Sequence, residues 1–277
     1  MKLEMQPLFN QINNIPHIPE IVRIIISQAD DPTIDFKFIA LNVEKDQAIA
    51  VKILRLVNSA HYGLPAKISS IQHSLAFIGM NELKKLIVVT GLVSSITEIQ
   101  GINLDDFWLD NFRTATYAKW LAEHTNTDKA DMIFTAGLIS SIGKVLIHLD
   151  DETTATKINL EVRNGTSRPD SERKHLGFTH QEVAAELCRI WQFPDELIAT
   201  IAQTGEPLKF DNPSLAAHAV YISRYISESS YSDKAQHTIL AEFPLKEWQQ
   251  LGLKEEDVAE TMATLLALET GLEGVLD

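Results

Sequence analysis

The stretch Asn81–Val93, NELKKLIVVTGLV, decides the fold class. Its second part, KLIVVTGLV (Lys85–Val93), is rich in β-branched residues that suit a pleated, half-buried surface, and it is the one serious strand candidate in the chain. Three features favour a buried helix instead. The apolar pattern runs on toward Ile96, longer than an ordinary strand of about 5–6 residues. Asn81 is placed to cap a first helical turn with its side-chain oxygen. A strand also needs partners, and no other segment offers itself as one.

Outward from that segment, the helical pattern continues in both directions. A preceding helix is predicted over Ile71–Ile78, closed by Gly79. Before it, "AHYGLPAKIS" (Ala60–Ser69) reads as an ordered loop punctuated by Gly63 and Pro65. Asp46 precedes Ile49, Ile53, Leu54 and Val57 at helical spacing, a helix that Asn58 and Ser59 end. Asp35 precedes the pairs Phe38/Leu41 and Ile39/Val43. Pro19 opens a helix carrying Ile21, Ile24, Ile25 and Gln28, its missing N–H being one that a first turn leaves unbonded anyway.

Past a hinge at Gly101–Asp106, a helix over Phe107–Glu123 turns Phe112, Ala115, Ala118, Leu121 and Ala122 inward. Asp128 opens the next, toward Leu138. Asp150–Asp170 is polar and loop-like in its second half. Thr179 and Glu182 form a capping-box pattern ahead of Val183, Ala184, Leu187 and Trp191, and Pro194 separates that helix from its successor. Ser214 caps a helix with Leu215, Ala219, Ile222 and Ile226. After a Ser-rich loop (Ser227–Asp233), a last helix carries Val258, Met262, Leu265 and Leu266. The fold expected is all-α, in two lobes: residues 1–100, then 101–210, with 211–277 completing the second lobe.

The 277 residues carry 24 Lys and Arg against 38 Asp and Glu, a net charge of −14. Nucleic-acid binding draws its affinity from Lys and Arg on phosphates, so an acidic chain with no basic run argues against that partner class. The acidic clusters Asp105–Asp106, Asp150–Glu152 and Glu255–Asp257 are simplest as solvated helix starts, where carboxylates complement the helix dipole. The single cysteine, Cys188, rules out an intramolecular disulfide and any cysteine-built metal site. Its apolar surroundings suggest a buried, inert thiol. No stretch reads as the roughly 20 apolar residues that span a bilayer. The longest uncharged run, Met5–Pro19, is broken by Asn and Pro, and the start of the chain lacks a signal-peptide pattern. A cytoplasmic protein is expected.

The sequence has no glycine-rich phosphate loop, no G-x-S-x-G elbow and no H-E-x-x-H pair. Its histidines, at 17, 61, 73, 124, 148, 175, 180, 218 and 237, are never three or four apart and never precede an acid, so local spacing supports no metal site. Trp108, Trp120 and Trp191 lie at stripe positions and read as packing. Trp248, in "FPLKEWQQLGL" (Phe243–Leu253), is either packing of the same kind or a residue at a partner surface.

"NSAHYGLPAKISSIQHSLAFIGMNELKKLIV" (Asn58–Val88) resembles the signature of the HDOD domain, the HD-related output domain of bacterial signalling proteins. That family has an N-S-A-x-Y-G loop, an S-I-x-x-A-I-x-x-L-G helix, then a helix rich in Leu and Val. "IPHIPEIVRIIISQADDP" (Ile15–Pro32) resembles the L-P-x-L-P opening. "FWLDNFRTATYAKWLAE" (Phe107–Glu123) and "FTAGLISSIGKVLI" (Phe134–Ile147) resemble the F-W-x-x-S and F-x-A-G-L-L-H-D-I-G-K segments. "EVAAELCRIWQFPDELIATIAQTGEP" (Glu182–Pro207) resembles the family's last motif, which ends in H-H-x-P.

The departures bear on chemistry. The HD-superfamily phosphohydrolases that this family resembles hold one or two metals through histidines, a His-Asp dipeptide and a later Asp, and so generate hydroxide. Here Ser140 and Ser141 stand at the dipeptide, Thr204 and Gly205 at the paired histidines, Asp110 at the leading histidine and Arg224 at the final Asp. Only His180, in "GFTH", matches a histidine the family commonly keeps; it is either a surviving ligand or a local hydrogen-bonding residue. Hydroxyls and glycine do not replace imidazole and carboxylate as transition-metal ligands. The resemblance thus implies a pseudoenzyme without cofactor, its cleft either open or filled by side chains; in the filled case Ser140 and Ser141 are embedded in a helix and close-packed. In the loop of the family motif, Asn58, Ser59, Tyr62 and Gly63 are either a recognition site or, for Asn58 and Ser59, a helix terminus bonded to loop backbone.

Two functions compete. In the first, a stand-alone signalling adaptor meets a kinase, a response regulator or a cyclic di-GMP turnover protein in trans, or binds a small ligand. The second is a metal-dependent phosphohydrolase acting on nucleotides or cyclic dinucleotides, for which His180 and Glu172 would have to help form another site. A weaker third is a nucleotide sensor with Arg224 and Lys144 on phosphate. None of the three involves nucleic acid or membrane insertion.

Overall fold

In the computed structural model, Asn81–Val93 is helical, and among the described residues there is no strand. Those residues are 3–10, 16–28, 36–64, 67–96, 99–125, 127, 129–231 and 235–276. The expected roles of Asp35, Pro65 and Asp128 fall outside them, as does part of the segment expected to be a loop over Ser227–Asp233, whose first three residues are the end of a helix instead. In chain order the α-helices are α1 (Gln6–Asn10), α2 (Glu20–Ser27), α3 (Phe36–Lys45), α4 (Gln47–Val57), α5 (Ile71–Ser95), α6 (Leu104–His124), α7 (Ala130–Ile139) and α8 (Ile142–Asp150). They continue as α9 (Glu152–Arg163), α10 (Arg168–Leu176), α11 (His180–Ile190), α12 (Asp195–Gln203), α13 (Leu215–Ser229), α14 (Gln236–Ala241), α15 (Leu245–Gln250) and α16 (Val258–Leu266).

The chain forms two compact units. The smaller holds residues 16–98 and 269–277; the larger holds 1–15 and 99–268. The boundary therefore lies just ahead of the Gly101–Asp106 segment, and both chain ends join the unit that lies away from them in sequence. Fifteen N-terminal residues belong to the larger unit, where Met5, Leu8 and Phe9 are buried and α1 packs on α8. The last residues belong to the smaller unit, with Leu272 and Val275 fully buried. These end segments are too short for a periodic pattern, so the sequence gives no hint of where they dock.

In the smaller unit, Asp46 caps α4 by accepting from the Ile49 N–H at 3.2 Å. Ile39 and Val43 of α3 are buried whereas Phe38 and Leu41 lie on its exposed side, so only one of the two expected pairs faces the core. Gly79 breaks α5 at φ +78°, a conformation that glycine adopts at no steric cost. Asn81 makes no capping bond, because the break sits two residues earlier and leaves Asn81 inside the resumed helix.

In the larger unit two caps follow the side chains expected of them: Thr179 and Glu182 close a reciprocal capping box on α11, and Ser214 accepts from Ala217 on α13. Inside the expected hinge, Asn103 accepts from Asp105 and Asp106 and starts α6 ahead of Phe107. The supposed loop within Asp150–Asp170 is mostly helix. Asp151 caps α9, Ser167 caps α10, and only residues 164–167 intervene.

One open alternative is decided and one expectation is corrected. Trp248 is fully buried, so it is packing and not a partner-surface residue. Its ring meets the Phe243 ring edge-on, centroids 5.5 Å apart, and its Nε1–H donates to the Lys254 carbonyl at 2.8 Å. One helical stretch, Ala130–Asp150, is long and apolar enough by composition to cross a membrane; 89% of an apolar 18-residue span within it is buried inside the protein. Its scattered Asp131, Thr135, Ser140, Ser141 and Lys144 hide this length from a search for an unbroken apolar run. Ser140 and Ser141 are buried as expected, yet they form the turn between α7 and α8 instead of lying within one helix.

Candidate functional site

Three elements of the larger unit bring side chains to one point: α6 supplies Asp110 and Asn111, the α7–α8 turn supplies Ser140, and α13 supplies Arg224 and Ser227. The Arg224 guanidinium donates to Asp110 Oδ2 at 2.8 Å, to Asn111 Oδ1 at 3.2 Å and to Ser140 Oγ at 3.1 Å. Ser227 Oγ donates to the other Asp110 oxygen at 2.6 Å. Asn111, fully buried, gives its own amide N–H to the Phe107 carbonyl at 2.8 Å, which turns its oxygen toward Arg224. Arg224 and Asp110 are only 13% and 22% exposed, so the pair is desolvated enough to depend on these extra partners.

Asp110, Ser140 and Arg224 are three of the positions at which the HD-superfamily resemblance implies metal ligands. The residues present do not fit a divalent cation. The guanidinium already holds the carboxylate, amide and hydroxyl oxygens, and a 2+ ion 4 Å from it would meet roughly 8 kcal/mol of repulsion at an effective dielectric of about 20. Among the described residues no group of three His, Cys, Asp or Glu is placed to hold a metal. The same bonds leave Arg224 committed, against its assumed role on a nucleotide phosphate.

His180 belongs to a second cluster. At the start of α11 it faces Glu172 of α10, a helix whose two buried residues, Ser171 and Glu172, are both polar. His180 Nδ1 lies 2.8 Å from both carboxylate oxygens, and its backbone N–H donates to one of them at 2.9 Å. Arg168 approaches the same carboxylate at 3.6 Å. Burial pushes the imidazole pKa down to about 4, more than Glu172 can raise it, with Lys144 and Arg168 adding to the fall. The ring is therefore neutral, with its proton on Nδ1, and Nε2 has no partner among the described residues. Lys144, one turn into α8, is pushed down to about 8 by burial and then by Arg168 and Arg224.

No hydrogen bond joins the remaining candidate positions to the Arg224 cluster. Ser141 Oγ is buried without a partner among the described residues. Thr204 Oγ1 donates to the Ile201 carbonyl at 2.8 Å, ending α12. Gly205 lies against Gln181, whose amide would be 2.7 Å from an added Cβ. In the smaller unit, Asn58 Nδ2 donates to the carbonyls of Leu54 (2.7 Å) and Ile68 (2.8 Å), and its Oδ1 accepts from the Ile68 N–H at 2.7 Å. It both ends α4 and fastens the loop. Ser59 gives its backbone N–H to the Leu56 carbonyl; Tyr62 donates to Glu82 at 2.6 Å; Gly63 takes φ +53°.

Sequence reasoning missed Arg168. Ser167, Pro169 and Asp170 form a helix start that could have placed it, but the helix has no apolar stripe to draw attention.

The sequence pattern of the HDOD domain matches residues 15–207. An "Uncharacterized protein" of Treponema pallidum (strain Nichols) is 23% identical over 256 residues, 87% of this chain and 48% of that protein. The chain thus spans about half the length of that curated relative. Among solved structures it is similar to a "Putative phosphohydrolase" from Shewanella amazonensis SB2B, with TM-score 0.77 and 23% identity, over 98% of this chain and 97% of that one. It is also similar to an HDOD domain protein with unknown function from Geobacter sulfurreducens (TM-score 0.70, 19% identity, 96% and 98% covered). A "Putative signal transduction protein" from Marinobacter aquaeolei VT8 gives TM-score 0.75 and 20% identity, over 97% of this chain and 60% of that one. Structural likeness at such identities speaks to the fold. The sequence match, which runs through both units and most of the chain, speaks to the family: this chain belongs to the HDOD domain family.

Proposed function

We propose that the chain is a non-catalytic signal-transduction module, an adaptor that works by binding another signalling protein or a small ligand. The observation that carries this reading is Arg224, whose guanidinium occupies the position among Asp110, Asn111 and Ser140 where a hydrolase of this superfamily would need a cation. Kinases, response regulators and cyclic di-GMP turnover proteins are the partner classes that the family resemblance suggests. A cytoplasmic location fits such partners.

The test is elemental analysis of the purified chain after expression with iron, manganese and zinc supplied, paired with hydrolysis assays on nucleotides and cyclic dinucleotides. Substoichiometric metal and no turnover are expected. Near-stoichiometric metal, lost with turnover on His180→Ala, would instead establish a phosphohydrolase built around His180 and Glu172.

A further inference from the structure

A cavity of about 250 Å³ opens in the larger unit beside the Glu172 cluster, among α6, α8, α9 and α10. Phe107, Val145 and Ile158 contribute to its apolar side; Lys144, Arg168 and Glu172 face it from the polar side. Most polar groups there are already committed. Glu172 is held by His180 through Nδ1 and the backbone N–H, Arg168 donates to Asn159 Oδ1 at 2.8 Å, and His148 Nε2 contacts the Gln100 carbonyl at 2.8 Å. The Lys144 ammonium is different. It lines the cavity with Arg168 and Glu172, and no side chain or carbonyl of the described residues hydrogen-bonds or ion-pairs with it.

Charge and size narrow what would complete this arrangement. The charged side chains that line the cavity are Lys144, Arg168 and Glu172, two positive charges against one carboxylate; beyond the lining, Lys144 feels Arg224 and the carboxylates of Glu228 and Asp110. One anionic charge balances the lining, whereas a phosphate monoester brings nearly two and needs several donors around its oxygens. The volume is below the roughly 300–1,000 Å³ that takes drug-sized ligands, so a cyclic dinucleotide is too large. Apolar walls favour a hydrocarbon body behind the charged head. We infer that this cavity binds a compact organic carboxylate, its carboxylate on the Lys144 ammonium and its hydrocarbon part against Phe107, Val145 and Ile158. The inference stands apart from the adaptor reading, since a catalytic or a non-catalytic chain could carry such a site.

Titration calorimetry of the full chain with isovalerate, with its neutral amide and with inorganic phosphate tests it. One-site binding of isovalerate is expected, with the amide and phosphate weaker by about tenfold or more, the loss that goes with one charge-assisted hydrogen bond. Lys144→Met should weaken isovalerate by a similar factor while circular dichroism stays that of the parent; Lys144→Gln serves if the Met variant does not fold. Ala155→Leu, which fills the cavity with Lys144 intact, should also remove binding. No saturable binding of isovalerate, or affinity unchanged in the Lys144 variants, would overturn the site. Phosphate binding more tightly than isovalerate would overturn the ligand class.

Discussion

At the scale of single residues, burial decides what each ionisable group does. His180 holds its imidazole neutral because the interior penalises the charged ring more than Glu172 rewards it. An unfolded chain takes up that proton near pH 6.5, while the folded chain refuses it until about pH 4. Stability is therefore complete above about pH 6.5 and falls as pH drops toward 4, by at most about 1.4 kcal/mol per unit and about 3 kcal/mol in all. Glu172 acts in the same direction at the acid end. Burial raises its pKa, the contacts with His180 and Arg168 lower it further still, and the stability this gives is lost as pH falls through the lowered value. Urea unfolding between pH 7.5 and 4.5 should show this slope, and His180→Gln should flatten it. A parent profile already as flat as the variant's would mean that the folded ring accepts the proton. The sequence placed Asp110, Ser140 and Arg224 at equivalent family positions, but not the bonds among them. Asp110 and Arg224 are 114 residues apart, and only the packing of α6 against α13 brings them together.

At the scale of elements, one close approach governs the region around both clusters. Gly143 of α8 lies so near the start of α11 that an added Cβ would sit 2.0 Å from the His180 carbonyl oxygen. That neighbour is backbone and has no rotamer to change. Gly143→Ala should therefore push α8 and α11 apart and cost about 3 kcal/mol or more, the upper range for overpacking. Chemical denaturation measures it, and a loss under about 1 kcal/mol would mean that the two helices separate easily. Helix starts were legible where a short polar side chain met an apolar stripe, as at Asp46, Thr179 and Ser214, whereas the Asn103 cap lay unseen within the expected hinge. Helix α10 was not, because its RPDSERKHL sequence turns polar Ser171 and Glu172 inward and so carries no periodic apolar signal. Arg168 and the wall of the cavity went unseen with it.

At the scale of the whole molecule, chain ends matter more than their composition suggests. Leu272 and Val275 are fully buried in the smaller unit, although the rest of that unit ends at residue 98. A chain stopped after Leu268 should lose about 4 kcal/mol or more from that unit, as two buried aliphatic side chains disappear and leave a cavity. Thermal unfolding of the truncated protein, compared with the parent, measures this; an unchanged transition would mean that the tail contributes nothing to that core. Two lobes were legible because a polar break near residue 101 interrupts the helical pattern. The crossing of both ends was not, since segments of three to five residues carry no period. The buried stretch Ala130–Asp150 also sets a problem of timing for synthesis. Helices α11, α12 and α13, which cover it, leave the ribosome after it does. Although α6, made earlier, can pack on α7, the nascent chain carries the other faces of this apolar stretch uncovered until those later helices arrive, and that interval is when it is most open to aggregation or mistaken delivery to a bilayer.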